Sequence, residues 1–186
     1  MTAQCWGEGM ELLDIYDKNG RPAGRTVERS VAFEHINREK ERFLLVHVCV
    51  FNQKNEILLQ RRQLTKDRYP GMWEVSAGGF VSAGEDSAGA VRRELQEEIG
   101  ICSGEFSFVC REPFSFVLDD FYAAFLDPKL SDLTLQEEEV MGVEWFCRTD
   151  VLTMLRNGTM VDYPEDLMQR MFDYAEAHRQ GRRCSK

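Results

Sequence analysis

Three glutamates in the middle of the chain have a spacing that points to metal chemistry. Glu94, Glu97 and Glu98 lie on a predicted helix over residues 87–99. At 100° per residue, Glu98 falls about 20° and Glu94 about 60° from Val91, which lies in the apolar stripe. An unpaired carboxylate beside a buried stripe is costly, and like charges three or four residues apart repel. A divalent cation with hard oxygen ligands explains this arc of carboxylates, whereas a solvated acidic face does not.

A glycine-bearing loop precedes this helix. Gly78 and Gly79 follow a predicted strand, and Gly84 comes directly before Glu85. Glycine permits a compact loop and a close approach of the backbone to a ligand, and a carbonyl in such a loop can bind a metal. Arg93 projects away from the apolar stripe, so we expect it to meet the returning loop and pair with Glu85 through bidentate hydrogen bonds.

The segment resembles the Nudix box, G-x5-E-x7-R-E-U-x-E-E-x-G-U, where U is an aliphatic residue. The positions that match are Gly79, Glu85, Arg93, Glu94, Leu95, Glu97, Glu98, Gly100 and Ile101. The resemblance implies a Nudix α/β/α sandwich with a mixed central sheet. The implied activity is hydrolysis of a small diphosphate substrate, nucleoside-linked or otherwise organic, assisted by Mg²⁺ or Mn²⁺.

The same resemblance implies roles for individual residues. Glu94, Glu97 and Glu98 match the metal ligands and catalytic carboxylates of the family. Gly78 matches a position whose backbone carbonyl often binds the metal. Glu85 and Arg93 match a structural brace. The family's general base lies on the box helix or on a later loop, where this chain carries three consecutive glutamates, 137–139. The sequence does not distinguish these glutamates as the base, and Glu139 is the candidate on the later loop.

A second pattern, LLQRRQLTKDRYPGMW, resembles a subgroup related to type 1 isopentenyl-diphosphate isomerase. Its cations Arg61, Arg62 and Lys66 are candidates for binding the substrate phosphates, the alternative being salt bridges to acidic neighbours. An isomerase is therefore the alternative activity. The resemblance implies that an isomerase would carry a catalytic cysteine in the strand after Pro70-Gly71 and would bind its metal through histidines. This activity is disfavoured because residues 74–79 contain no cysteine and Phe80 stands where relatives often carry histidine. A non-catalytic Nudix ligand sensor is the third reading, although the box glutamates are all present.

Composition limits the classes of partner. The 186 residues carry a formal charge of −9, and the sequence pI is about 4.9, which argues against a broad nucleic-acid surface. No signal peptide or membrane span is predicted. The six cysteines show no metal or disulfide spacing, so we expect reduced thiols and a cytoplasmic protein. A homodimer is compatible with the sequence but has no specific indication.

The order of predicted elements favours one α/β domain over the whole chain, 1–186. We expect a core at about residues 40–160, an N-terminal hairpin extension over 1–39, and a C-terminal helix and tail over 161–186. Ser30 is predicted to cap a short helix and Thr149 a later one. The last helix is predicted to begin near Pro164 and to fray at its basic end, near His178. The predicted strands include a central hairpin, 43–51 with 56–61, and further strands at 73–76, 106–117, 121–126 and 140–147.

Overall fold

A computed structural model describes residues 11–184, with side chains through residue 181. The strands are β1 Leu12–Asp17, β2 Pro22–Glu28, β3 Glu41–Phe51, β4 Ile57–Arg62, β5 Trp73–Val75, β6 Ala77–Phe80, β7 Phe106–Phe114, β8 Val117–Phe125 and β9 Val140–Phe146. The helices are α1 Ser87–Ile99, α2 Arg148–Asn157 and α3 Glu165–Cys184. Over the described range, no helix is both long enough and apolar enough to cross a membrane.

The sheet divides beside its centre. β3 runs parallel to β8 along its length and antiparallel to β6, whereas β4 pairs with β5 and β9. In the part of the chain that the structure describes, β3 and β4 are paired through one position, Phe51 with Ile57. The predicted central hairpin is therefore correct at its turn and wrong beyond it. Beyond the turn, the two strands take different partners.

Helices cover both faces of this mixed sheet, which confirms the predicted sandwich. Val46, Val48 and Val50 of β3 pack in the core that contains α1. Cys49 and Phe51, on the opposite face of the same strand, pack in the core formed with α2 and α3. The alternation follows from the period of two in a strand, and it lets one nearly continuous apolar run supply both cores.

The N-terminal extension is built into the sheet. β1 and β2 form the predicted hairpin, and β1 also pairs with the start of β3. Beyond these pairings, the loop before α1 is bound to β1: the Ala83 amide donates to the Leu12 carbonyl at 2.7 Å, and the Gly84 amide donates to Asp14 Oδ2 at 2.8 Å. A strand near the start of the chain therefore holds the glycine-bearing loop.

Two predicted helix caps are wrong. Ser30 lies inside a short 3-10 turn, Arg29–Val31, and its hydroxyl donates to Glu28 at 2.7 Å instead of capping a helix. α2 begins one residue before Thr149, and its N-cap is Cys147, whose amide donates to Asp150 Oδ2 at 3.3 Å. In neither case does the predicted hydroxyl accept from the start of a helix: the Ser30 hydroxyl is itself a donor to Glu28, and at α2 the Asp150 carboxylate accepts from the Cys147 amide.

Two predicted boundaries also move. The strand predicted over 106–117 ends at Phe114, and a tight turn through Ser115, with φ of 47°, leads into β8 at Val117. The C-terminal tail does not fray where expected, because α3 continues to Cys184. His178 stacks on Phe125 of β8 with ring centroids 3.8 Å apart, and this contact holds the end of α3 against the sheet.

Candidate active site

The ends of α1 are defined by residues whose chemistry suits them. Asp86 is the N-cap and accepts a hydrogen bond from the Gly89 amide at 2.6 Å. Gly100 closes the helix in the left-handed conformation, with φ of 75°, which glycine adopts without steric penalty. Between these two ends, burial of the stripe that contains Val91 and Leu95 places Glu94 and Glu98 on the buried side of the helix.

Glu98 is buried, as is Glu94, whereas Glu97 is exposed. Its Oε2 accepts hydrogen bonds from Gln60 Nε2 on β4 at 2.8 Å and from the Gly78 amide at 3.2 Å. Burial raises the pKa of this carboxyl well above its usual range, and the neighbouring Glu74 and Glu94 raise it further, while the two hydrogen bonds act in the opposite direction. A buried carboxylate with only neutral donors favours a nearby cation.

Glu94 lies against the loop at Gly79. A Cβ placed on Gly79 would approach Glu94 Oε1 to 2.2 Å, so only glycine leaves room for the carboxylate. Burial raises the pKa of Glu94, and Arg93 opposes this effect with an Nη1–Oε1 distance of 2.8 Å. The glycine in the loop therefore serves the packing of a carboxylate on the helix.

Arg93 joins the helix to the loop, and the structure brings it together with Glu85. Its Nη2 donates to Glu85 Oε2 and to the Phe80 carbonyl, both at 3.0 Å. Its Nη1 also reaches Glu97 Oε2 at 3.2 Å, and the Glu97 side chain is 53% exposed. Arg93 thus holds the loop while it partly neutralises the glutamates beside it.

The oxygen donors fit a divalent cation in kind but are not gathered into a closed site. Within residues 11–184, no group of three or more histidine, cysteine, aspartate or glutamate side chains is close enough to hold a metal ion. Glu94 and Glu98 lie next to the Gly78–Gly79 backbone, whereas Glu97 points to Arg93. Carboxylate and carbonyl oxygens are the ligands that Mg²⁺ takes, with water and substrate completing its shell.

The three candidate phosphate cations occupy different environments. Lys66 forms an ion pair with Glu139, the candidate base, and the Gln63 amide donates to the Glu139 carbonyl at 2.8 Å. Arg61 is exposed and donates to the Gly71 carbonyl at 3.0 Å. Arg62 is ion-paired with buried Glu74, so both Arg62 and Lys66 form the salt bridges that the sequence left open as the alternative.

A buried polar network near Glu98 was missed from the sequence. His47 Nδ1 lies 2.7 Å from Asp119 Oδ1, and its Nε2 lies 3.6 Å from Glu74 Oε1, which also accepts from the Tyr163 hydroxyl at 3.4 Å. Burial lowers the pKa of His47, but the two carboxylates outweigh burial and raise the pKa to about 10. His47 is therefore a buried residue with a partner at each ring nitrogen. The sequence signal that could have revealed Glu74 as the second partner of His47 is a glutamate within a predicted strand.

This chain is similar in sequence to known proteins over most of its length. The NUDIX domain family matches residues 41–165. The Nudix hydrolase lmo0368 of Listeria monocytogenes is 37% identical over 164 residues, covering 83% of this chain and 90% of that protein. An isopentenyl-diphosphate Delta-isomerase of Shigella flexneri is 31% identical over 110 residues, covering 55% of this chain and 60% of that protein.

Solved structures show the same fold. DR0079 from Deinococcus radiodurans superimposes with a TM-score of 0.72 at 21% identity, covering 87% of this chain and 99% of that chain. The NUDIX domain of NrtR from Shewanella oneidensis, complexed with ADP ribose, gives 0.59 at 18% identity, covering 80% and 99%. The mixed sheet, the helix that carries the box glutamates and the similarity to these proteins together identify the fold as a Nudix sandwich. The chain belongs to the Nudix hydrolase family, and its relatives support a Nudix pyrophosphohydrolase.

Proposed function

We propose that this protein is a divalent-metal-dependent hydrolase that cleaves the diphosphate linkage of a small organic or nucleoside-linked diphosphate. The observation that carries the proposal is the burial of Glu98 and Glu94 against the Gly78–Gly79 backbone without enough positive charge to balance them. When bound, Mg²⁺ or Mn²⁺ supplies neutralisation of the phosphate oxygens and activation of the attacking water.

The chain's own residues have distinct roles in this proposal. Glu94, Glu97 and Glu98, with the Gly78 carbonyl, would hold the cation, and the Glu85–Arg93 pair keeps the loop in place. Glu139 accepts the proton as the water oxygen bonds to phosphorus and the anhydride P–O bond breaks. Lys66 and exposed Arg61 bind phosphate oxygens. Arg62 has a different role, because its guanidinium neutralises Glu74 within the protein.

The similarity to an isomerase does not support isomerase activity for this protein. It matches just over half of this chain, and residues 74–79 hold no cysteine where that activity would need one. A ligand sensor is the second candidate, because Arg93 is paired with Glu94 and Glu97, and its positive charge occupies part of the place that a catalytic metal would take. The free thiols of Cys49, Cys102, Cys110 and Cys147 suit the expected cytoplasmic location.

A panel of diphosphates tests the proposal. Nucleoside diphosphate sugars, ADP-ribose, dinucleotides and isopentenyl diphosphate would be incubated with Mg²⁺ or Mn²⁺ and scored for released phosphate products and for isomerisation. We expect metal-dependent hydrolysis that Glu98→Gln and Glu97→Gln reduce by about 100-fold or more. Full activity of both variants, or full activity in EDTA, would contradict the metal site. Tight binding without turnover would favour the sensor, and isomerisation would favour the isomerase.

A further inference from the structure

A buried glutamine lies between the sheet and the box helix. Gln60 is only 2% exposed, and β4 is paired on both sides at this position, with Glu74 of β5 and with Val143 of β9. Leu58, two residues earlier on the same face of β4, packs in the apolar core that contains α1. An apolar residue would continue that core, so a polar amide at this position needs a specific reason.

The two polar atoms of the Gln60 amide differ in their bonding. Its Nε2 donates to Glu98 Oε2 at 2.8 Å. Its Oε1 is buried and has no hydrogen-bond partner among the described residues. A buried acceptor without a partner costs free energy, so this oxygen calls for a donor that does not belong to the chain.

Gln60 also helps to determine which oxygen of Glu98 is available to a ligand. The Gly78 amide donates to Glu98 Oε2 at 3.2 Å, so the sheet and the loop both engage the same carboxylate oxygen. Over the described range, no donor reaches the other oxygen, Glu98 Oε1. Carboxylates that bind metals are commonly held by such hydrogen bonds, which orient the ligand oxygen toward the ion.

A hydrated cation would supply the donor that Gln60 Oε1 calls for. Mg²⁺ retains several waters when it binds a protein through a few carboxylates, and those waters donate hydrogen bonds to surrounding acceptors. Gln60 Oε1 belongs to the amide that already contacts Glu98, so it lies beside a carboxylate that would hold the ion. One neutral amide therefore offers a donor to the ligand and an acceptor to the hydration shell.

Resting on the proposed hydrolase function, we propose that Gln60 is a positioning residue of the metal site. Its Nε2 fixes the Glu98 carboxylate so that Oε1 of that carboxylate is available to the cation. Its own Oε1 accepts a hydrogen bond from a water of the ion's hydration shell. Gln60 lies 38 positions before Glu98 and outside the box, so the sheet contributes to metal affinity as well as the box helix.

Gln60→Met tests this role because it nearly keeps the volume of the side chain and removes both polar atoms. Mn²⁺ binding is measured without substrate by electron paramagnetic resonance of the free ion, and Tm is measured in EDTA. We expect the Kd for Mn²⁺ to rise by about 10- to 100-fold. We expect Tm in EDTA to stay within about 4 °C of the wild type, because the lost hydrogen bond is offset by removal of the unpaired acceptor.

Gln169→Met is the matched control, because Gln169 Nε2 also donates to a glutamate, Glu165 Oε1, at 3.1 Å within α3. It should bind Mn²⁺ as the wild type does. Gln60→Leu repeats the measurement if the methionine variant folds poorly. Wild-type affinity in the Gln60 variants, or loss of the fold in both, overturns the proposal and makes Gln60 a structural residue.

Glu98→Gln separates failure of this inference from failure of the proposed function. If Glu98→Gln weakens Mn²⁺ binding while the Gln60 variants bind as the wild type, only the positioning role is rejected. If the wild type does not bind Mn²⁺, or if Glu98→Gln binds it equally well, the metal site itself is rejected, and the role of Gln60 with it.

Discussion

The ammonium group of Lys66 is ion-paired with the carboxylate of Glu139. The two residues lie on separate loops, and both side chains are partly buried. The Gln63 side chain strengthens the same junction by donating to the Glu137 carbonyl at 2.8 Å. The pair joins the candidate phosphate cation to the candidate base. A phosphate that binds Lys66 therefore competes with Glu139, and binding of the substrate would free the carboxylate to accept a proton.

Exchanging the two charges distinguishes this role from a structural one. Lys66→Glu combined with Glu139→Lys restores an ion pair, but it removes the cation and the carboxylate from the positions where the proposed reaction needs them. We expect kcat/KM to fall by about 100-fold or more, the size of a general-base contribution, while the melting temperature stays near that of the wild type.

The exposed pair Arg156–Glu165, between α2 and α3, provides the matched control for that exchange. Arg156→Glu with Glu165→Arg should leave both activity and stability close to the wild type, since exposed ion pairs contribute little. Recovery of full activity in the Lys66 and Glu139 exchange would show that the pair only holds the two loops together.

Arg61 and Arg62 are neighbours in sequence but should respond differently to replacement. Arg62→Met leaves Glu74 buried without its main partner, and we expect a loss of about 3 kcal/mol in the free energy of unfolding. This is the lower end for a broken buried pair, because His47 still faces the carboxylate. Arg61→Met should change stability by less than about 0.5 kcal/mol and raise KM. Urea unfolding and steady-state kinetics measure both, and equal destabilisation would refute the distinction.

Metal binding should be visible as a change in stability. A ligand at 100 times its Kd stabilises the native state by about 2.7 kcal/mol, equivalent to a rise of about 5–10 °C in Tm for a chain of this size. We expect Mg²⁺ to produce such a rise in the wild type and less than half of it in Glu98→Gln. The exposed Glu39→Gln should behave as the wild type. Equal metal-dependent shifts in all three proteins would place the ion elsewhere.

Gly79→Ala should impair activity at little cost in stability. The added Cβ would meet the end of the Glu94 side chain, which can move aside, so the fold is retained while the carboxylate is displaced. A displacement of about 1 Å is expected to cost about 100-fold in kcat. Gly142→Ala on β9 is the control, since a Cβ there has no neighbour within 4 Å. Similar kcat values for the two variants would contradict this packing role.

The parts of the site predictable from sequence are those encoded locally. Helix α1, its carboxylate arc and the Glu85–Arg93 contact arise within fifteen residues, where the helical period and the glycines specify geometry. The same reasoning could not find the His47–Asp119 contact, which joins residues 72 apart in the chain. It depends on β3 lying parallel to β8, and no local pattern specifies which strands become neighbours.

Competition among partners explains the other differences. Arg61, Arg62 and Lys66 look equivalent in sequence, but strand alternation and loop position give each a different acceptor. Ser30 and Thr149 are good capping residues in isolation, yet the Ser30 hydroxyl donates to Glu28, and Asp150 accepts from the Cys147 amide at the start of α2. These outcomes depend on which acceptor is closest in three dimensions, which a pattern of residue types does not contain.

The bonding of the glycine loop to β1 has a consequence for how the molecule can be shortened or extended. Asp14 reaches the Gly84 amide across 70 positions of sequence, so the first described strand determines the position of a loop beside the box helix. The family match begins at residue 41 and excludes that strand. We therefore expect the smallest fragment with an ordered loop to begin before Leu12. Insertions should be tolerated in the β1–β2 turn but not within β1 itself.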